Sequence, residues 1–237
     1  MKLRTWIREH TVWAYFLLTI VWSYLFWALL FTLLPVDPAG GPSLLHVLLA
    51  GLGGSPSLMG LALTGVVYGR AGYGEVWARL RRGRVSLAWY AVALLGMPAL
   101  TWAAYQGQAV LGGPAAGVDW SALGFALPAG VMACLLEEFG WRGFALPELQ
   151  KRFSPLAAGL LVGGMRGLWH VPLNLTVMAQ YGGLAAPLLL VSGPLLLTAA
   201  SLLMTWVYNR TGGSLLLMVL MHSSITVSGI VFALADP

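Results

Sequence analysis

Glu137 and Glu138 stand side by side, with Arg142 four residues on. Arg166, His170 and Asn174 follow at four-residue steps, and His222 and Thr226 repeat that step near the end of the chain. Carboxylates and imidazoles move protons, while guanidinium, imidazole and hydroxyl groups stabilise negative charge as it develops. A carboxylate helped by a histidine can deprotonate water, and a second histidine with a neighbouring hydroxyl can hold the charge on an attacked carbonyl oxygen. The surroundings make the set unusual. Charged residues are only 9% of the 237, against 59% hydrophobic. A charge at bilayer depth costs a few kcal/mol even on lenient insertion scales, so it needs a partner, a wet cavity or a function.

Helical spacing organises these groups further. Glu138 and Arg142 are i,i+4 with the acid on the N-terminal side, the favourable order for an ion pair on one face. Glu137 lies about 100° round the helix from Glu138 and has no partner close in sequence. It is therefore expected to be the free acid of the two, suited to act as a general base. Arg166, His170 and Asn174 share one helical face, as do His222 and Thr226. Gly163 and Gly167 form a small-xxx-small pair that allows a second helix to approach closely. No HExxH zinc spacing occurs. Ser223 and Ser224 are too close to His222 along one helix to use it in a nucleophilic dyad. The single cysteine, Cys134, excludes an intrachain disulfide and a Cys-based zinc site, and reads as a small buried hydrophobe.

The elements that must position these residues are membrane helices. The composition departs far from that of soluble domains, which carry about a quarter charged residues. It implies an all-α, polytopic transmembrane helix bundle with the lipid bilayer as its environment, organised as a single membrane domain over residues 1–237. No basic, aromatic-interleaved nucleic-acid motif is present, and the net charge of +5 comes from loop arginines facing an anionic leaflet. The apolar runs predict about seven spans: 11–34, 44–68, 85–105, one from about 120 to 147, 156–177, 184–208 and 214–234. Polar or Gly/Pro-rich connections are expected at 35–42, 70–84, 106–119, 179–183 and 209–213. His10 and His46 fall near span ends and read as interfacial. Eleven of the 13 Lys and Arg lie at ends that share one side of this topology. The positive-inside rule then makes the N-terminus cytoplasmic. The two exceptions are Arg142 and Arg166. Glu137, His170 and His222 lie 14, 16 and 12 residues from Lys151, Ser154 and Arg210. At 1.5 Å per residue that is ~20, ~24 and ~18 Å, so three spans carry ionisable groups at comparable depth.

In this order, Glu137-Glu138-x-x-x-Arg142, then GlyLeuTrpHis170ValPro, then AsnArgThrGlyGly (209–213) leading to MetHis222SerSerIleThr226 resemble the CPBP family of intramembrane proteases. That family includes the type II CAAX prenyl endopeptidases and bacterial relatives linked to bacteriocin processing and immunity. The resemblance covers residues 120–234, the expected catalytic core. It implies an endopeptidase acting on a membrane-associated peptide or protein in a bacterial or archaeal plasma membrane. Glu137 would activate water with His170 assisting, Glu138 and Arg142 would hold the geometry, and His222 would contribute to the oxyanion site with Thr226 beside it. Family descriptions also treat the Glu and His residues as metal ligands. Glu137, His170 and His222 would make a His2Glu zinc set with one open position, whereas the bare glutamate route needs no cofactor. Two positions depart from the pattern. Arg166 replaces the usual aromatic residue, placing a cation where it can pair with Glu137 or act on His170. Thr226 replaces the usual Asn and keeps a hydroxyl donor of shorter reach. The family is often described with eight spans. These departures motivate a rival reading, a catalytically weak membrane scaffold or immunity-type binding protein. A small transporter with a Glu/Arg/His relay is a third, against which stands the lack of inverted repeats.

Overall fold

The apolar runs fold as helices in the computed structural model, which describes residues 3–36, 43–110, 117–178 and 185–232, and those residues contain no strand. A short helix α1 (Leu3–Glu9) precedes α2 (Thr11–Leu33), then α3 (Leu44–Gly53) and α4 (Pro56–Leu80). After α5 (Leu87–Ala91), a π-helical turn at Val92–Gly96 leads into α6 (Met97–Val110). Next come α7 (Leu123–Gly140), a second π-helical turn at Trp141–Ala145 and α8 (Leu146–Gln150). The chain continues through α9 (Pro155–Met178), α10 (Ala185–Arg210) and α11 (Leu215–Val231). Serines start several of these helices. Ser43, Ser55, Ser86 and Ser214 each accept from a backbone N–H of the first turn, satisfying a donor that would otherwise be orphaned in an apolar setting.

Among the described residues, Thr11–Leu33, Leu48–Leu80, Leu87–Gly107 and Trp120–Gln150 are long and apolar enough to cross a membrane. The all-α membrane bundle is as expected, and two details are not. The run expected as one span over 44–68 is broken at Gly54 and Ser55, where α3 ends and the Ser55 cap with Pro56 behind it starts a new helix. The polar segment 70–84, expected as a connection, is helical as far as Leu80. Its boundary with the apolar run survives as a kink at Gly69, whose φ of 62° is a left-handed conformation open to glycine. Of the connections expected at 35–42, 106–119 and 179–183, residues 37–42, 111–116 and 179–183 lie outside the described residues, as do Leu184 and the chain end beyond 232, and α6 continues through 106–110.

The bundle centres on α7, which packs against α4 on one side and α11 on the other, while α9 lies along α10 and touches α2. Two crossings are set by glycine. A Cβ on Gly60 would sit 2.7 Å from the Cα of Gly140, bringing α4 into backbone contact with the end of α7. On α9, Cβ atoms at Gly163 and Gly167 would meet Thr198 and Pro194 of α10 at 2.7 and 2.8 Å, the close approach expected of that pair. The basic turns gather at one end. Arg79 donates to Tyr208 at 3.2 Å, Arg82 donates to the carbonyl of Gly212, and Lys151 reaches Glu148 and Tyr68.

Candidate active site

The carboxylate pair closes α7, and the π-helical turn follows directly, with all five of its residues buried. Such a turn adds a residue per turn and is frequent at functional sites. Here it still leaves Arg142 facing back along α7. Arg142 Nη1 donates to Glu138 Oε1 at 2.9 Å, and Nη2 donates to Ser201 Oγ of α10 at 2.8 Å. Both members of this ion pair are fully buried. The expected pairing is present, and Ser201 is an anchor that the sequence analysis did not single out. Its only signal is a serine in an apolar span, which also holds Ser192.

Glu137 is where expectation and structure part. It is not the unpartnered acid: Arg166 Nε donates to Glu137 Oε2 at 2.8 Å, and Trp141 Nε1 donates to the same oxygen at 3.3 Å. Of the two roles open to Arg166, the geometry realises the pairing with Glu137. The reason is topological, because α9 lays its polar face against the end of α7, so a residue 29 positions away becomes the nearest cation. Arg166 Nη2 also lies 2.8 Å from His222 Nε2. A guanidinium only donates, so His222 Nε2 accepts and Nδ1 carries the proton, which it gives to Glu138 Oε1 at 2.8 Å. Glu138 Oε1 thus receives both Arg142 and His222. One chain of hydrogen bonds links Trp141, Glu137, Arg166, His222, Glu138, Arg142 and Ser201 across α7, α9, α10 and α11.

The second oxygen of Glu137 is differently placed. Glu137 Oε1 lies 3.9 Å from His170 Nε2 and 4.0 Å from His222 Nε2. Those separations are too long for direct hydrogen bonds and suit a bridging water. His170 Nε2 is buried and has no hydrogen-bond partner among the described residues. Its ring stands edge-on to Trp169, with centroids 4.7 Å apart. Glu137 and His170 both line a cavity of about 760 Å³ whose other walls include Phe31, Phe125, Met132, Leu136 and Trp169. The cavity runs between α2, α3, α7 and α9, away from the basic turns, and its lining is largely apolar. His46, expected at an interface, lies in its wall, buried, with Nε2 against the carbonyl of Leu34. Thr226 and Asn174 share the faces expected of them but are half-buried and stand outside this chain of bonds; Asn174 packs beside Gly193. Cys134 is buried, as expected, with Sγ 3.1 Å from Ser223 Oγ.

Donor spacing alone would admit a metal. Glu137, Glu138 and His222 each bring a ligand atom within 4.8 Å of the others, a set that has Glu138 where the sequence analysis had His170. Charge does not admit it. The two carboxylates are already matched by two buried guanidinium groups. A divalent ion added there would leave a twofold positive excess in a low-dielectric site, at a cost of several kcal/mol per uncompensated charge. These residues do not fit a divalent cation while Arg166 holds its place.

Two comparisons bear on the site. Residues 119–228 match a family described as type II CAAX prenyl endopeptidase Rce1-like. A stretch of 43 residues is 46% identical to a CAAX prenyl protease 2 of Methanococcus maripaludis, covering 18% of this chain and 16% of that protein. The chain thus aligns with well under two thirds of that relative's length. Both findings support the CPBP resemblance, and the family segment contains every residue of the hydrogen-bonded chain.

Proposed function

We propose, from the match of residues 119–228 to the Rce1-like family, that this chain is an intramembrane endopeptidase that hydrolyses a peptide bond with water activated by Glu137 and His170. The observation that carries this reading is Glu137 Oε1, 3.9 Å from a His170 Nε2 that has no hydrogen-bond partner among the described residues, at the wall of an apolar cavity. A water held between those atoms has an acceptor for its proton on one side and a carbonyl-sized space on the other. Its oxygen attacks the carbonyl carbon as the proton passes to the Glu137–His170 pair. Collapse of the tetrahedral adduct breaks the C–N bond, and the same proton goes to the leaving amine. Glu138 and Arg142 act behind this step, holding His222 and the end of α7. The cavity lining favours a substrate with an apolar end, and the relative's name joins proteolysis to prenyl groups. The residues 120–234 form the catalytic core on this reading, in a multi-pass protein of a bacterial or archaeal plasma membrane.

The purified protein in detergent, incubated with a library of apolar-ended peptides and followed by mass spectrometry, is expected to give defined cleavage products. Glu137→Ala and His170→Ala are expected to abolish them. A second reading, a membrane scaffold of the same architecture, is favoured by the Arg166–Glu137 ion pair, which ties up one oxygen of the base. Wild-type inactivity across the library with retained binding of a protein partner would select it.

A further inference from the structure

We propose that Arg166 is the electrophile of this site: its guanidinium occupies the seat a divalent cation would take between Glu137 and His222 and donates to the oxyanion. Because Arg166 Nη2 donates to His222 Nε2, that nitrogen has no proton to offer, and the proton on Nδ1 is spent on Glu138. His222 as it stands is an acceptor toward Arg166, so its expected role as the oxyanion donor passes to the group it holds. Arg166 is buried, with side-chain exposure of 4%. Two of its N–H groups are committed, to Glu137 and to His222, and a guanidinium has five. The remaining donors belong to a side chain hydrogen-bonded directly to Glu137, the carboxylate that lines the cavity.

The chemistry follows from that placement. When the water oxygen bonds to the peptide carbonyl carbon, the C=O electron pair moves onto oxygen and the water proton moves to the Glu137–His170 pair. The new negative charge lies near a fixed, desolvated cation, and preorganised donors of this kind are worth most in a dry site. As Glu137 gains a proton its attraction for Arg166 falls, freeing the guanidinium toward the oxyanion. Arg166 thus balances Glu137 before the step and the oxyanion after it, with Arg142 matched to Glu138 throughout.

The catalytic half of this inference rests on the peptidase reading; the cation-seat half does not, and the experiment separates them. Zinc ion alone is titrated into the full-length protein in detergent, with bound metal measured after desalting, for wild type, Arg166→Met and Arg166→Lys. Wild type and R166K are expected to hold less than about a tenth of an equivalent. R166M, left with two carboxylates, His222 and one cation, is expected to take up close to one. Stoichiometric zinc in wild type, or none gained by folded R166M, overturns the seat assignment. R166Q carries the same test should R166M fail to fold. On a peptide that wild type cleaves, R166M is expected to lose about 10²–10³ in kcat with KM changed less than about threefold, the loss expected for one oxyanion donor. R166K is expected to recover at least tenfold of that. An R166M enzyme with kcat within threefold of wild type overturns the electrophile. A wild type that cleaves nothing removes the peptidase reading and leaves the zinc result to decide the seat.

Discussion

Replacing Arg142 by methionine tests whether the buried pair is what holds the end of α7 in shape. Arg142 and Glu138 are both fully buried, 2.9 Å apart. In the variant, Glu138 keeps only the N–H of His222, and Ser201 Oγ loses its donor. Removing one partner of a buried pair costs about 3–5 kcal/mol, because the remaining charge stays desolvated without its counter-ion. Arg142→Met alone is therefore expected to fall in that range, and Glu138→Gln alone close to it. The double variant E138Q/R142M leaves no charge stranded and keeps an amide oxygen for His222. It should cost about 1–2 kcal/mol, mainly from lost packing and the imperfect hydrogen bond. The coupling energy of the cycle is then about 4 kcal/mol or more in magnitude, above the ~0.5–3 kcal/mol usual for residues in contact, because each single variant strands a buried charge that the double does not. Unfolding in mixed micelles with rising SDS fraction, followed by circular dichroism, gives the four free energies. A single Arg142→Met costing under about 1 kcal/mol, or a coupling below about 0.5 kcal/mol, would refute the argument.

Two further predictions concern what surrounds the site. Gly140→Ala places a methyl 2.3 Å from the carbonyl oxygen of Pro56 and 2.5 Å from Tyr15 Oη, so α4 must move off α7. Overpacking of this kind costs about 1–3 kcal/mol; a lower melting temperature in detergent with reduced cleavage is expected, and an unchanged melting temperature counts against the crossing described. Asp119, just before the first turn leading to α7, has its carboxyl held below the usual carboxylate range, first by the Ser121 hydroxyl and also by backbone N–H groups. A depressed folded value means that its contribution is present above about pH 4 and fades as pH falls through the folded value. Ser121→Ala should move the Asp119 titration midpoint upward in carboxyl-detected NMR, and no movement would dismiss the hydroxyl as the cause.

Which residues were legible in the sequence follows from the range of the interactions involved. The Glu138–Arg142 pair is a contact within one helix, and its four-residue spacing is visible in the sequence. The Gly163 and Gly167 pair announces a close helix contact by the absence of side chains, without saying that α10 would supply Thr198 and Pro194. The break at Gly54–Ser55 carried a cap and a proline, but the apolar run on either side masked it. The helical course of 70–80 is hidden for the opposite reason: a run of charge suggests a loop, whereas arginines at a helix end can reach solvent and bond the turns of α10, as Arg79 does with Tyr208.

The partner of Glu137 was beyond the reach of local spacing, and this is where the site acquires its character. A carboxylate without a nearby cation in sequence is free only if no other helix delivers one, and at bilayer depth the cost of leaving it bare selects for a helix that does. Arg166 meets that demand for Glu137 while its own charge is met in return, so each makes the other tolerable. The same exchange fixes the proton on His222 Nδ1 and thereby holds Glu138, which in turn fixes Arg142 and Ser201. One substitution on α9 therefore reaches four helices. Among the described residues, Glu137 Oε1 is the carboxylate oxygen set 3.9 Å from a His170 Nε2 that has no hydrogen-bond partner, and that asymmetry between the two oxygens of a single side chain is what gives an otherwise charge-balanced cluster a reactive side.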